Sequence, residues 1–258
     1  MGKIISITNQ KGGVGKTTTS VNLGACLAMV AKKILLVDID PQANTTGGLG
    51  FDKNNLTETV YEVLIDEHPV EQAILKYEKI LGLEIIPSGI QLAGAPVELV
   101  GLENREARLR DCLLPLKDKY DFIFIDCPPS LGLLTINGLD AADSVLIPVQ
   151  CEYYALEGLS QLLQTINLVK GSFNPELGIE GFLLTMHNTR TKLSFEIIEE
   201  VKNYFKDKVY NTLIPRNVRL SEAPSYGEPI ILYDSSCRGA QTYEEFAREF
   251  LEKNKGKD

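Results

Sequence analysis

The residues best equipped for chemistry cluster near the start of the chain. Lys11-Gly12-Gly13-Val14-Gly15-Lys16-Thr17-Thr18 packs three glycines, two lysines and two threonines into eight residues. Glycines let backbone N–H groups converge on phosphate oxygens without Cβ clashes. A helix opening at Lys16 adds free N–H donors and the positive end of its dipole. Lys16 then reaches the β- and γ-phosphates of a nucleotide, and the Thr17 hydroxyl is placed to ligate Mg2+. The generic phosphate loop carries glycine where this chain has Gln10, and this chain instead adds a second lysine, Lys11, five residues before Lys16.

Three carboxylates complement the loop. Asp126 ends the apolar run Phe122-Ile123-Phe124-Ile125. Strand C-termini form the ligand edge of a parallel sheet, and a carboxylate there can hold Mg2+, often through water. The alternative is a plain cap for the next helix. Asp38 and Asp40 follow Leu35-Leu36-Val37. Two residues apart, they point to one side if the strand continues. Like charges so placed repel unless a cation or water network offsets them, with Asp38 as a simple loop cap the alternative.

These groups require a scaffold, and the hydrophobic pattern supplies one. Strands are expected at Ile4–Thr8, Ile34–Ile39, Leu83–Ile86, Phe122–Asp126, Ser144–Pro148, Ile179–Thr185 and Val209–Ile214. Several are apolar throughout, as strands covered on both faces should be. Helices are expected near Lys16–Val30, Glu103–Lys117, Ala155–Lys170, Phe195–Phe205 and Gln241–Glu252. The alternation implies an α/β fold, a mainly parallel twisted sheet with helices on both faces, and the glycine-rich loop between strand and helix marks it as a P-loop NTPase fold. Without a linker, repeat or low-complexity tract, residues 1–258 are expected to form a single P-loop domain.

Composition narrows the classes. The chain of 258 residues is 44% hydrophobic and 24% charged, which excludes a disordered, fibrous or disulfide-built protein. No apolar run approaches the ~20 residues of a spanning helix. The five cysteines are widely spaced with no C-x-x-C pair, so buried reduced thiols are expected rather than a metal cluster. Met1-Gly2 begins a formal acylation match, but the following residues read as a strand. Asn44-Thr45-Thr46 and Asn55-Leu56-Thr57 match glycosylation acceptors without a signal peptide to deliver them.

The Lys11…Lys16-Thr17 pattern resembles the deviant Walker A motif of the ParA/MinD superfamily of ATPases. Leu35-Leu36-Val37-Asp38-Ile39-Asp40-Pro41-Gln42 is similar to that superfamily's second motif, and Phe124-Ile125-Asp126-Cys127-Pro128-Pro129-Ser130 to its Walker B. The stretches 148–158 and 214–224 resemble the chromosomal, Soj-type ParA branch. The resemblance spans essentially the whole chain. It implies ATP and Mg2+ as cofactors, with Gly12, Gly13, Val14, Gly15, Lys16, Thr17 and Thr18 around the phosphates. It assigns Asp40 to positioning the attacking water and Asp38, with Thr17 and Asp126, to the Mg2+ shell. Lys11 is implied to cross a dimer interface onto the partner's nucleotide, positive charge arriving only when two subunits close. A supplement to Lys16 within its own subunit is the alternative. Pro215-Arg216-Asn217 resembles the loop that frames adenine, a generic surface turn being the alternative, and Glu152 is implied to contact nucleotide across the dimer.

Relatives in this superfamily differ in partner. A membrane-binding relative of the MinD kind needs a basic amphipathic C-terminal helix. Here Tyr243, Phe246, Ala247, Phe250 and Leu251 form a stripe, but the opposite face carries Glu244, Glu245, Glu249 and Glu252. Anionic lipid would repel that face, so the stripe is expected to dock on the core, with no membrane partner. A net charge of −9 excludes a wholly basic surface, yet residues 181–240 hold eight basic side chains against seven acidic ones. The resemblance places Arg190 and Arg219 on a surface for nonspecific double-stranded DNA. It also implies an ATP-dependent homodimer, a ParB-type centromere-binding partner that stimulates hydrolysis, and a cytoplasmic protein that is nucleoid-associated when ATP-bound. No helix-turn-helix pattern precedes the loop, so operator-specific reading is not expected.

Overall fold

The computed structural model describes residues 2–152, 155–188 and 191–255. Its strands are β1 (Lys3–Ile7), β2 (Ile34–Asp38), β3 (Leu75–Lys76), β4 (Leu83–Ile86), β5 (Phe122–Asp126), β6 (Ser144–Gln150), β7 (Gly178–His187) and β8 (Val209–Pro215). They form one eight-stranded sheet in the order β3-β4-β2-β5-β1-β6-β7-β8. Every pairing is parallel except the short antiparallel one of β3 with β4. The helices are α1 (Lys16–Met29), α2 (Asn44–Gly48), α3 (Val60–Ile65), α4 (Ala95–Leu99), α5 (Arg108–Leu113), α6 (Leu133–Asp140), α7 (Ala155–Ser172), α8 (Lys192–Phe205), α9 (Val218–Glu222), α10 (Ile230–Tyr233) and α11 (Arg238–Asn254).

The apolar central strands serve two cores at once. Leu35, Val37, Ile123 and Ile125 face one cluster, with side chains from α3, α5, α6, α7 and α8. Ile34, Leu36, Phe122 and Phe124 face the other, with α1, α10 and α11. Alternation along each strand thus separates two apolar layers, the signature of a sheet covered on both sides. Helix α1 lies close to the sheet: a Cβ on Gly24 would come within 2.9 Å of Leu36 Cδ2.

The C-terminal stripe is core. Tyr243, Phe246 and Phe250 of α11 are buried. The Phe250 ring meets Phe122 at 5.1 Å and Phe124 at 5.8 Å between centroids. The Tyr243 hydroxyl lies 3.2 Å from Thr19 Oγ1 of α1. Among the described residues no helix is long and apolar enough to cross a membrane.

The structure departs from the sequence reading in places. The helix expected over Glu103–Lys117 is shortened at both ends. Asn104 adopts φ 51°, and Pro115 lies in the first turn of the 3-10 segment Leu114–Lys119. A proline there clashes with an α-helical carbonyl four residues earlier and cannot donate. The thiols are all free, but only Cys26, Cys127 and Cys151 are buried; Cys112 and Cys237 are half-buried.

Candidate nucleotide site at the C-terminal edge of the sheet

The glycine-rich loop joins the central strand β1 to α1. Gly13 and Gly15 take φ 73° and 92°, the left-handed region that glycine enters without penalty. A Cβ on Gly12 or Gly13 would meet nothing within 4 Å, so their outer side is open. The loop is fixed from behind. Asn9 Nδ2 donates to the Pro148 carbonyl at 2.7 Å, and Asn9 Oδ1 accepts from Lys11 N–H at 3.0 Å. Thr185 Oγ1 donates to the Val14 carbonyl at 2.8 Å. No side chain caps the start of α1, which leaves first-turn N–H groups for an external acceptor.

Lys16 is only 7% exposed, and its Nζ donates to the Lys11 carbonyl at 3.2 Å. Burial pushes the Lys16 pKa down, while Asp126 and Asp40 act in the opposite sense. Asp126 Oδ2 accepts from both Thr17 Oγ1 at 2.7 Å and Thr45 Oγ1 at 2.6 Å. Its Oδ1 is buried without a hydrogen-bond partner, as is Gln10 Oε1. Burial drives the Asp126 pKa upward despite the threonine bonds and the nearby Lys16 charge. Burial likewise raises that of Asp38, and Asp126 adds to it. An orphaned carboxylate oxygen beside a threonine hydroxyl fits a hard cation that keeps waters and takes phosphate oxygens. Among the described residues no group of three or more His, Cys, Asp or Glu could hold a metal by itself.

Strand β2 ends at Asp38, so Asp40 lies beyond the strand and the two carboxylates do not share a strand face. Asp38 Oδ1 accepts from Asp40 N–H at 3.1 Å; Oδ2 accepts from Thr46 N–H at 2.9 Å and Thr46 Oγ1 at 2.8 Å. Here Asp38 caps a loop. The Asp40 carboxylate accepts from Gln42 N–H at 2.9 Å.

Pro215 and Arg216 leave the end of β8 and, with His187 and Asn188, line a cavity of about 850 Å³. Asn217 N-caps α9, accepting from Arg219 N–H at 2.8 Å. Arg216 Nη2 donates to Glu152 Oε1 at 2.9 Å, and Lys11 Nζ stands 3.8 Å from Glu152 Oε2. Thus Lys11, Glu152 and Arg216 meet within one subunit. Arg219 is farther along the surface, its Nη1 on Glu222 at 2.9 Å and its Nε 3.5 Å from Asp234. Arg190 lies outside the described residues. The sequence reading missed Asn9, Thr45, Thr46, Ser88 and Thr185. Only Thr45-Thr46 carried a signal, dismissed with the glycosylation match.

A glycine loop between a central parallel strand and a helix, with a buried lysine and acidic strand ends around it, defines a P-loop nucleotide-binding protein with an extra loop lysine. Residues 2–179 match the model of a family described as AAA domain. The chain is 63% identical over 249 residues to the sporulation initiation inhibitor protein Soj of Bacillus subtilis, covering 96% of this chain and 98% of that one. It is 54% identical to the chromosome partitioning protein ParA of Myxococcus xanthus, covering 98% of this chain and 89% of that one. Among solved structures, a cobyrinic acid a,c-diamide synthase from Mycobacterium smegmatis with bound ATP analog and magnesium superposes with TM-score 0.87 at 36% identity, over 100% of this chain and 98% of that one. The chain belongs to the ParA/Soj family of chromosome-partitioning ATPases, within the ParA/MinD superfamily.

Proposed function

We propose that this chain works as an ATP-dependent DNA-partitioning ATPase, residues 1–258 acting as one domain. The observation that carries this reading is a buried Lys16 ammonium turned back onto the Lys11 carbonyl of the glycine loop, with the unpartnered Oδ1 of Asp126 in the same site. Backbone N–H groups from Gly12 to Thr18 and the Lys16 ammonium take the phosphates of ATP. Thr17 and Asp126 hold Mg2+, with Asp38 behind them. Mg2+ held there would supply charge neutralisation to the phosphates. Asp40 orients the attacking water, and Pro215, Arg216 and Asn217 frame the base.

ATP closes two subunits face to face, bringing each Lys11 onto the other's phosphates, where cationic charge is needed only as the transition state forms. The dimer gathers Arg190 and Arg219 of both subunits onto nonspecific DNA. A ParB-type centromere-binding protein stimulates hydrolysis and ADP subunits leave, so the protein is cytoplasmic and nucleoid-associated only with ATP. The test compares wild type with Asp40→Ala by phosphate release and size-exclusion chromatography. Wild type should hydrolyse ATP, whereas Asp40→Ala should bind ATP, turn it over far more slowly and elute as a stable dimer. A variant that binds ATP, hydrolyses it at the wild-type rate and stays monomeric overturns the assignment.

A further inference from the structure

Asp40 belongs to no strand or helix, so its carboxylate is only as well placed as the loop that carries it. Both ends of its peptide are held by side chains. Its N–H donates to Asp38 Oδ1 at 3.1 Å, and its carbonyl accepts from Ser88 Oγ at 2.8 Å as well as from Ala43 N–H at 2.8 Å. Ala43 itself sits at φ 52°, a conformation that a non-glycine residue keeps only when its surroundings impose it.

The side-chain bonds that hold Asp40 form a closed circuit. Thr46 Oγ1 donates to Asp38 Oδ2 at 2.8 Å and accepts from Ser88 N–H at 2.9 Å. Ser88, just beyond β4, then reaches the Asp40 carbonyl through its hydroxyl. Thr45 adds a donor to Asp126 from the adjacent position. Thr45, Thr46, Ser88 and Asp38 are all fully buried, so each bond forms in a low dielectric and leaves an unsatisfied group if broken.

We infer that Thr46 and Ser88 are positioning residues for hydrolysis: through Asp38 and the Asp40 carbonyl they fix the loop that aims the Asp40 carboxylate. Neither side chain need touch the nucleotide. This rests on the proposed role of Asp40 and adds residues that act through it.

The test uses the full chain and three variants: Thr46→Val, nearly isosteric but without the hydroxyl, Thr46→Ser, which restores it, and Ser88→Ala. ATP affinity is read by titrating a fluorescent ATP analogue, turnover by phosphate release, and folding by thermal melting. Misaiming a reacting group by about 1 Å can cost ~100-fold, so Thr46→Val and Ser88→Ala should lower kcat by about 10- to 100-fold. Affinity should stay within about twofold, since an interaction made only during hydrolysis appears in kcat alone. Thr46→Ser should recover most of the rate. Unchanged kcat, a loss of affinity in place of kcat, or failure of Thr46→Ser to rescue overturns the inference. Should Thr46→Val fail to fold, Ser88→Ala decides by the same split. Asp40→Ala separates the two levels. If it turns over like wild type, the assignment of Asp40 falls; if it is slow while Thr46→Val and Ser88→Ala are not, only the positioning inference falls.

Discussion

Lys11 Nζ and Glu152 Oε2 stand 3.8 Å apart within one subunit, and Arg216 occupies the other oxygen of the same carboxylate at 2.9 Å. The lysine proposed to cross the dimer is therefore held beside its own nucleotide site before the subunits meet. The Lys11 and Glu152 side chains are 34% and 46% exposed, so the pair is screened and weak. Its expected effect is on the proposed dimer equilibrium rather than on folding. Glu152→Gln should leave the melting temperature unchanged and tighten the ATP-dependent dimer by roughly two- to fivefold. Sedimentation with a slowly hydrolysed ATP analogue measures this. A weakened dimer would instead assign Glu152 to the partner's nucleotide.

The second expectation concerns the C-terminal helix. Phe250 is fully buried against Phe122 and Phe124. Removing such a ring costs transfer energy and leaves a cavity, together about 3–5 kcal/mol. Phe250→Ala should show that loss in denaturant titration, while wild type should not sediment with anionic vesicles in the presence of ATP. A loss below about 1 kcal/mol would contradict a core role.

The parallel sheet was legible because its central strands are apolar on both faces, and the phosphate loop because its glycines and lysines sit at fixed spacing. What escaped depends on contacts between distant residues. Leu75–Lys76 pairs with β4 over two residues, too short for any period to register. Asn104 takes a left-handed turn that asparagine tolerates, but the helical pattern around it outweighed that single residue in the sequence. In the site, Ser88 lies 42 residues from Thr46 in a segment with no phosphate-binding pattern. Thr185 reaches Val14 across 171 residues. The motif supplied the groups that meet the nucleotide, whereas tertiary packing supplied those that hold them.

A third expectation follows from the end of the sheet opposite the site. Glu180 Oε2 accepts from Lys3 Nζ at 2.5 Å and Ser144 Oγ at 2.8 Å, and Oε1 accepts from Asn254 Nδ2 at 2.7 Å. Burial alone would raise the Glu180 pKa, but these bonds and the Lys3 charge outweigh it and hold the carboxyl below its ordinary 4.5. The folded state thus binds that proton less readily than the unfolded one. The stabilisation is complete above the unfolded pKa and is lost as pH falls through the lower folded value. Glu180→Gln should cost about 1–3 kcal/mol at neutral pH. The gap between variant and wild type should close on acidification below pH 4.5, as read by urea titrations at several pH values. A gap that persists there would show that shape, not charge, sets the cost.

The last expectation tests the proposed DNA surface. Arg219 is exposed but engaged, with Glu222 on one guanidinium nitrogen and Asp234 near another. A phosphate must compete with two carboxylates for one cation, which lowers affinity without removing the contact. Arg219→Ala should weaken binding, and because a dimer loses two contacts, its log–log salt slope should become shallower by nearly two units. Glu222→Gln should act in the opposite direction, strengthening binding at fixed salt. Both changes should be alike on unrelated duplexes, since phosphate contacts carry no base information. Anisotropy across a salt series, with ATP and two duplexes, measures all of this. An Arg219→Ala slope equal to that of wild type would move the DNA face elsewhere. Weaker binding by Glu222→Gln, with Arg219→Ala behaving as expected, would mean that Glu222 holds the guanidinium in its binding pose rather than competing for it.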